Sequence, residues 1–164
     1  MNLFILDNDI NLCAQMACDK HVVKMPLETA QMLCTAHHLY NPDNPMLPLL
    51  YKETHKNHPC TKWVCESATN YLWTYMFWLA QCEEYSHRFH KHHLTHQKYA
   101  KILAEIPPNI PAGKQTPFAQ AMPDEYKNDD AVTAYRDYYT NEKAHILQYN
   151  NGRSPAGWVA RAIM

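Results

Sequence analysis

Apolar positions along the chain follow helical spacing over most of its length. Between about Lys20 and Leu39 the apolar and polar residues recur at steps of three and four, which predicts a long amphipathic helix. The run Tyr71–Leu79 is apolar on every side, and such a helix is normally the buried centre of a bundle. Only 3 glycines are present and valine–isoleucine runs are few, which argues against a β-rich fold. The pattern therefore predicts an all-α fold: a compact helical bundle around a central apolar helix.

Local signals place the ends of the other predicted helices. Asp7 or Asp9 is expected to cap a first helix over about 10–18, and Ser67 or Thr69 a long one to about His90. The dipeptide His58-Pro59 predicts a helix start. Further helices are expected from Thr95 to about Ile106 and after Asp129 or Asp130. Pro26 is expected to kink the second helix or to begin a new segment of it.

A proline-rich loop is predicted from Pro107 to Glu125, a segment with five prolines. Loops of this length in a compact domain are often functional or wrap over the core. Its amides and hydroxyls suit hydrogen bonding to a base edge, but the sequence favours a loop that simply covers the bundle.

Length and composition limit the class of protein. A chain of 164 residues with 46% hydrophobic and 19% charged residues predicts one folded domain, residues 1–164. No secretory signal and no apolar run of membrane-spanning length are seen, which predicts a cytoplasmic protein with reduced cysteines. The net charge of −1 allows binding to a polyanion without favouring it, because strong DNA binders usually carry a basic excess.

A polar stripe on the second helix is the first candidate site. On one line of this helix the sequence places His21, Lys24, Glu28, Gln31, Thr35 and His38. On another line, which is expected to face the core, lie Val23, Leu27, Ala30 and Cys34. Two histidines, a glutamine and a threonine are unusual for a plain solvent face and suit the wall of a pocket. The other interpretation is a surface pair between Lys24 and Glu28 worth a few tenths of a kcal/mol.

A second candidate site surrounds the start of the third helix. Lysines and histidines gather there at Lys52, His55, Lys56, His58 and Lys62, and backbone N–H groups at a helix start favour anions. Trp63 offers a face on which a base can stack. A capped helix start with a core tryptophan explains the same residues equally well.

Two further groups of residues leave several interpretations open. The histidines between His87 and His96 predict a solvated helix end, ahead of a phosphate-contacting patch and, last, a metal site. Arg153 and Trp158 either close a pocket, with the arginine on a phosphate, or dock the C-terminal tail. No metal site and no cofactor are predicted.

Asp19-Lys20-His21, followed by Glu28 nine residues after Asp19, resembles the core motif of the phage pyrimidine-dimer DNA glycosylase (endonuclease V) family. Relatives in that family also share a pattern similar to Lys24, Gln31 and then Asn57-His58-Pro59 with Trp63. The resemblance implies an all-α fold and a glycosylase/lyase mechanism. In that mechanism an N-terminal amine attacks the sugar C1′ and forms a Schiff base, and a glutamate stabilises the sugar cation and moves protons.

The leading hypothesis is therefore a pyrimidine-directed DNA glycosylase/AP lyase acting on damaged or modified DNA. Because residue 2 is the bulky Asn2, Met1 is expected to be retained and to supply the amine. The residues expected to be catalytic are Glu28, Met1 and His21. Those expected to bind the substrate are Asp19, Lys20, Lys24, Gln31, His55, Asn57, His58, Trp63 and Arg153. The alternative is a non-catalytic protein that binds small pyrimidine nucleotides on the same scaffold, which the near-neutral charge favours.

Overall fold

The computed structural model describes residues 1–164 and contains seven α-helices and no β-strand, which confirms the all-α prediction. The helices are α1 (Ile10–Gln15), α2 (Asp19–Tyr40), α3 (Pro59–Glu66), α4 (Ala68–Phe89), α5 (Leu94–Tyr99), α6 (Ala131–Glu142) and α7 (Gly157–Ile163). Three short 3₁₀ turns lie at Leu47–Leu49, Asp124–Tyr126 and Ala144–Ile146.

Side-chain caps begin several helices at the predicted residues. Asp9 accepts a hydrogen bond from the N–H of Leu12 at the start of α1, and Ser67 caps α4. Asp130 caps α6. His58 caps α3 with its Nδ1, which accepts from the N–H of Cys60, so the predicted His-Pro start is confirmed.

Two helices are shorter than predicted. The first ends at Gln15 instead of Cys18, because the N–H of Cys18 donates to the hydroxyl of Tyr139. The fifth is capped by His93 instead of Thr95 and ends at Tyr99 instead of Ile106. The residues that follow Tyr99 form turns that lead into two prolines, which lack the N–H groups that a helix needs.

Pro26 lies inside a single continuous α2, so the predicted division of this helix is wrong. The buried face of α2 agrees with the predicted one only in part, since Ala30 and Cys34 are fully buried but the other two residues of that line are not. Val23 is 47% and Leu27 37% exposed, whereas Val22 and Met25 enter the core. Because valine occupies both position 22 and position 23, helical spacing alone allows either of two apolar faces for this helix.

The long helix α4 packs against α1, α2 and α3. Tyr71 and Trp78 are fully buried on it. Leu72 and Met76 are 45% and 47% exposed, so α4 is not covered on every side. No helix of the protein combines the length and the apolar character that crossing a membrane requires.

The proline-rich loop covers the helices, as its simpler interpretation predicted. Trp63 donates from Nε1 to the carbonyl of Thr116 at 3.2 Å, and Phe118 lies 5.1 Å from Trp63, ring centre to ring centre. Asn70 donates to the hydroxyl of Thr116 at 2.7 Å. The loop is therefore part of the packing around α3 and α4.

A buried ion network joins α2, α4 and the C-terminal segment. The guanidinium of Arg88 donates to Glu84 at 2.7 Å, to Asp19 at 3.1 Å and to the carbonyl of Gln15 at 2.7 Å. Arg153 pairs with the same Glu84 at 2.7 Å. The side chains of Arg88 and Glu84 are 0% and 4% exposed, so each charge depends on its partners.

Replacing Arg88 with Met is expected to lower the free energy of unfolding by about 3–5 kcal/mol, because Asp19 loses its only ion-pair partner and the buried Glu84 keeps only Arg153. Urea unfolding followed by circular dichroism measures the change. Arg161→Met, at an exposed position of α7, serves as the control and is expected to shift stability by less than about 0.5 kcal/mol. Equal small effects of the two substitutions would show that the network does not hold the fold together.

Candidate active site

The first amino group of the chain lies against the carboxylate of Glu28. The nitrogen of Met1 is 3.5 Å from Glu28 Oε1, and Lys24 Nζ is 4.0 Å from the same oxygen. The side chains of Met1 and Glu28 are 2% and 14% exposed. They border a cleft of about 130 Å³, whose lining residues are Met1, Asn2, Phe4, His21, Lys24, Met25, Glu28, Tyr138 and Lys143. An amine and a carboxylate thus face one another in a sheltered but accessible site.

The extended segment before α1 places the amine there. The side chain of Asn2 is buried and forms three hydrogen bonds with backbone groups. Its Oδ1 accepts from the N–H groups of Leu3 and Phe4 at 2.8 and 3.1 Å, and its Nδ2 donates to the carbonyl of Ala121 at 2.8 Å. Asn2 therefore ties the first residues to the proline-rich loop and fixes the position of Met1.

Phe4 forms one wall of the cleft in an unusual backbone conformation. Its φ is +51°, a left-handed value that is costly for an aromatic residue. Such strain costs on the order of 1–3 kcal/mol and persists only where the surroundings impose it. The ring stacks on His21 at 4.7 Å between ring centres, with 22° between the planes. The left-handed turn at Phe4 thus sets one ring face against His21.

His21 is a neutral, buried side chain of the cleft. Its Nδ1 lies 2.9 Å from the hydroxyl of Tyr139. Burial lowers the pKa of His21 to about 3, and the positive charges of Lys143, Lys24, Lys20 and the Met1 amine add to this effect. Because the imidazole carries no charge near neutral pH, it is available as a hydrogen-bonding group and not as a cationic acid.

The charges of Met1 and Glu28 also act on His58, at the start of α3. Burial lowers its pKa, the Met1 ammonium and His55 lower it further, and the Glu28 carboxylate raises it. This places His58 within electrostatic reach of Met1 and Glu28. His55 and Asn57 are exposed in the preceding loop and do not line the cleft.

Three residues expected to bind substrate have structural positions instead. Trp63 is 1% exposed and lies among Trp73 and Phe118, so no face is free for a base. Asp19 accepts hydrogen bonds from Arg88 and from the N–H of Asn150, and Arg153 pairs with Glu84. These charged groups serve the buried network, because burial requires that each be paired.

Two other predicted residues lie near the cleft without lining it. Lys20 is exposed on the first turn of α2, and its charge contributes to the lowered pKa of His21. Gln31 is half-buried on the same helix. The stripe prediction therefore holds at the cleft for His21, Lys24 and Glu28 only.

Residues that sequence reasoning missed complete the site. The sequence pattern draws attention to Asn2 only through its size, and it gives no signal of a site at Tyr138. Lys143 follows the end of α6 and carried no signal, since it is brought to Met1 by tertiary packing.

The histidine-rich segment is separate from this cleft. His93 caps α5 and its Nε2 donates to the carbonyl of Val23 at 3.1 Å. His87 bonds the carbonyl of Gly152 at 3.0 Å. No three His, Cys, Asp or Glu side chains come together in an arrangement that would hold a metal ion.

An all-α chain with an amine beside a glutamate has the features that the resemblance of its sequence implied. Comparison with known families agrees: the family described as pyrimidine dimer DNA glycosylase matches residues 1–98 of the 164. The chain belongs to this family, and the resemblance is confirmed. The match includes Met1, His21, Glu28 and His58, whereas Tyr138 and Lys143 lie outside it. Neither the curated proteins nor the solved structures compared with the chain gave a match.

The neutral state of His21 makes stability depend on pH. Between about pH 6.5 and pH 3, His21 is protonated in the unfolded chain and neutral in the folded chain. The free energy of unfolding therefore falls as the pH falls through this window, by about 1.4 kcal/mol per pH unit from His21 alone. Burial lowers the pKa of His37 to about 4, which adds a second loss of the same sign.

We expect His21→Gln to make this pH dependence shallower, by about 1.4 kcal/mol per pH unit. Urea unfolding at three pH values between about 6.5 and 4.5 measures the slope. The same replacement at His145, which is exposed, controls for the loss of an imidazole. If the free energy of unfolding depends on pH as steeply in His21→Gln as in the unchanged protein, His21 is not neutral in the folded chain.

Proposed function

We propose that the chain is a DNA N-glycosylase with AP-lyase activity that acts on damaged pyrimidines. The observation that carries the proposal is the 3.5 Å contact between the Met1 amine and Glu28 at the edge of an accessible cleft. Family membership supports action on DNA at the level of the glycosylase class. The amine is the nucleophile in this proposal, and Glu28 is its partner in proton transfer.

The contact suits the first step of Schiff-base chemistry. Glu28 takes a proton from the Met1 ammonium, and the freed lone pair attacks the sugar C1′ while the bond to the base breaks. The base leaves with the bonding electron pair and takes up the proton from Glu28, which returns to its carboxylate form. The attacking nitrogen then loses a second proton as the C1′–O4′ bond breaks and the iminium forms, and O4′ takes up that proton.

The Glu28 carboxylate also stabilises the positive charge that develops on the sugar during base loss. A proton is then lost from C2′, and the C3′–O3′ bond breaks with departure of the phosphate. Water finally hydrolyses the imine and restores the amine. A separation of 3.5 Å in the unliganded protein is compatible with this role, since catalytic hydrogen bonds often tighten only when substrate binds.

Local charge supports DNA as the substrate despite the net charge of −1. The cations of Met1, Lys20 and Lys24 all contribute to the lowered pKa of His21, and Glu28 is the one carboxylate that lines the cleft. Met1, Lys24 and Lys143 give the cleft three positive charges against the single carboxylate of Glu28, and this net positive charge attracts an anion whatever the total for the protein. Tyr138 lines the same cleft and supplies the aromatic face for a base that was expected from Trp63.

Glu28→Gln is expected to slow cleavage of a duplex with one abasic site by about 100-fold or more, because it removes the proton acceptor and the negative charge. Affinity for the same duplex should change only a few-fold. Single-turnover gel assays and fluorescence anisotropy measure the two quantities, and a duplex containing one pyrimidine dimer tests the glycosylase step.

Glu53→Gln is the matched control, since Glu53 is also paired with a lysine but lies on the surface away from the cleft. It is expected to leave cleavage unchanged. Full cleavage by Glu28→Gln would contradict the proposed role of Glu28. Binding of free pyrimidine nucleotides by a protein that cuts no DNA would favour the non-catalytic alternative.

A further inference from the structure

Lys143 is a half-buried cation in the cleft that has no acidic partner. It follows the last residue of α6 and lines the same cleft as Met1 and Glu28. The ion pairs of the structure do not include it, although most buried or half-buried cations of the chain, such as Arg88 and Arg136, are paired with carboxylates. Its positive charge is therefore left uncompensated beside the amine and the carboxylate.

Two aromatic rings hold this ammonium in place. Lys143 Nζ is 5.6 Å from the ring centre of Tyr138 and 6.0 Å from that of Phe4. The two rings are nearly parallel, at 16°, with their centres 6.2 Å apart. Ring faces attract a cation without neutralising it. The rings thus limit the freedom of a long side chain and leave its charge and its N–H donors for another group.

The charge of Lys143 acts on another side chain of the cleft, His21. Among the charges that lower the pKa of His21, that of Lys143 contributes most after burial itself. The strained backbone of Phe4, whose φ is +51°, helps to set the ring on which the ammonium lies. A cation that packs against two aromatic rings, lines the cleft and has no carboxylate partner is suited to bind an anion.

We propose that Lys143 is a phosphate-binding residue that holds the DNA backbone at the mouth of the Met1–Glu28 cleft. The proposal rests on the proposed function, which makes a sugar–phosphate chain the ligand. A compact ammonium with three donors suits a phosphate oxygen, and such contacts supply most of the salt-dependent affinity for DNA. The residue lies beyond residues 1–98, so this contact comes from the part of the chain outside the family match.

The test is the salt dependence of DNA binding, measured in the Glu28→Gln background so that the duplex is not cut. Lys143→Met is expected to weaken binding about tenfold at low salt. It should also reduce the slope of log affinity against log salt by about 0.9. The loss of affinity caused by Lys143→Met, relative to the Glu28→Gln parent protein, therefore shrinks about three- to fourfold between about 50 and 200 mM salt. Abasic and intact duplexes should lose affinity equally, because a phosphate contact carries no sequence information.

Lys98 provides a matched control. Its Nζ lies 5.4 and 5.8 Å from the ring centres of Tyr51 and Tyr99, but it does not line the cleft. Lys98→Met, made in the same Glu28→Gln background, is expected to leave the affinity and the salt slope unchanged. Lys143→Arg, which keeps the charge, should restore most of the slope, and it tests the proposal independently if Lys143→Met fails to fold.

Different outcomes separate this inference from the proposed function. A parent protein that binds no DNA would overturn both. A parent that binds DNA, with the same salt slope after Lys143→Met, would overturn the role of Lys143 alone. Equal losses from Lys98→Met and Lys143→Met would also overturn it, because they would reflect total charge and not a phosphate seat.

Discussion

The amine of Met1 meets Glu28 only because the segment before α1 is held at several points. Leu3, Ile5 and Leu6 are buried in the core, and the side chain of Asn2 links the N–H of Leu3 to the carbonyl of Ala121. A free chain end would lose this position, since termini are ordinarily poorly ordered. The backbone strain at Phe4 is tolerated within the same packed segment. The chemistry proposed for the cleft therefore depends on packing that lies next to it.

Electrostatics reconcile the net charge of −1 with a DNA substrate. The acidic groups that α2 and α4 carry near one another, Asp19 and Glu84, are neutralised by Arg88 and Arg153 in a separate network. The cations around His21 face one carboxylate of the cleft, Glu28. The protein therefore has a neutralised ion network and a positively charged cleft, and the net charge of the whole chain does not reveal this difference.

Sequence reasoning predicted six of the seven helices, all but α7, because their signals are local. Asp9, Ser67, Asp130 and the His58-Pro59 start each act within three residues. The motif also pointed to Met1, His21 and Glu28, which share the cleft. Asp19, Trp63 and Arg153 do not line the cleft, because their side chains are held in the ion network and in the packing around α3. Asn2 and Lys143 were missed because their contacts, to Ala121 and to Phe4, join residues more than a hundred positions apart.

The most direct measurement is to trap the proposed intermediate with borohydride on an oligonucleotide that carries one abasic site, and to map the adduct by peptide mass spectrometry. Reduction converts a Schiff base into a stable bond, so the modified nitrogen identifies the nucleophile. The account predicts one adduct, on the amine of Met1, that disappears when the chain is extended by two residues before Met1. An adduct on a lysine, or none while a control lyase is trapped in parallel, would contradict it.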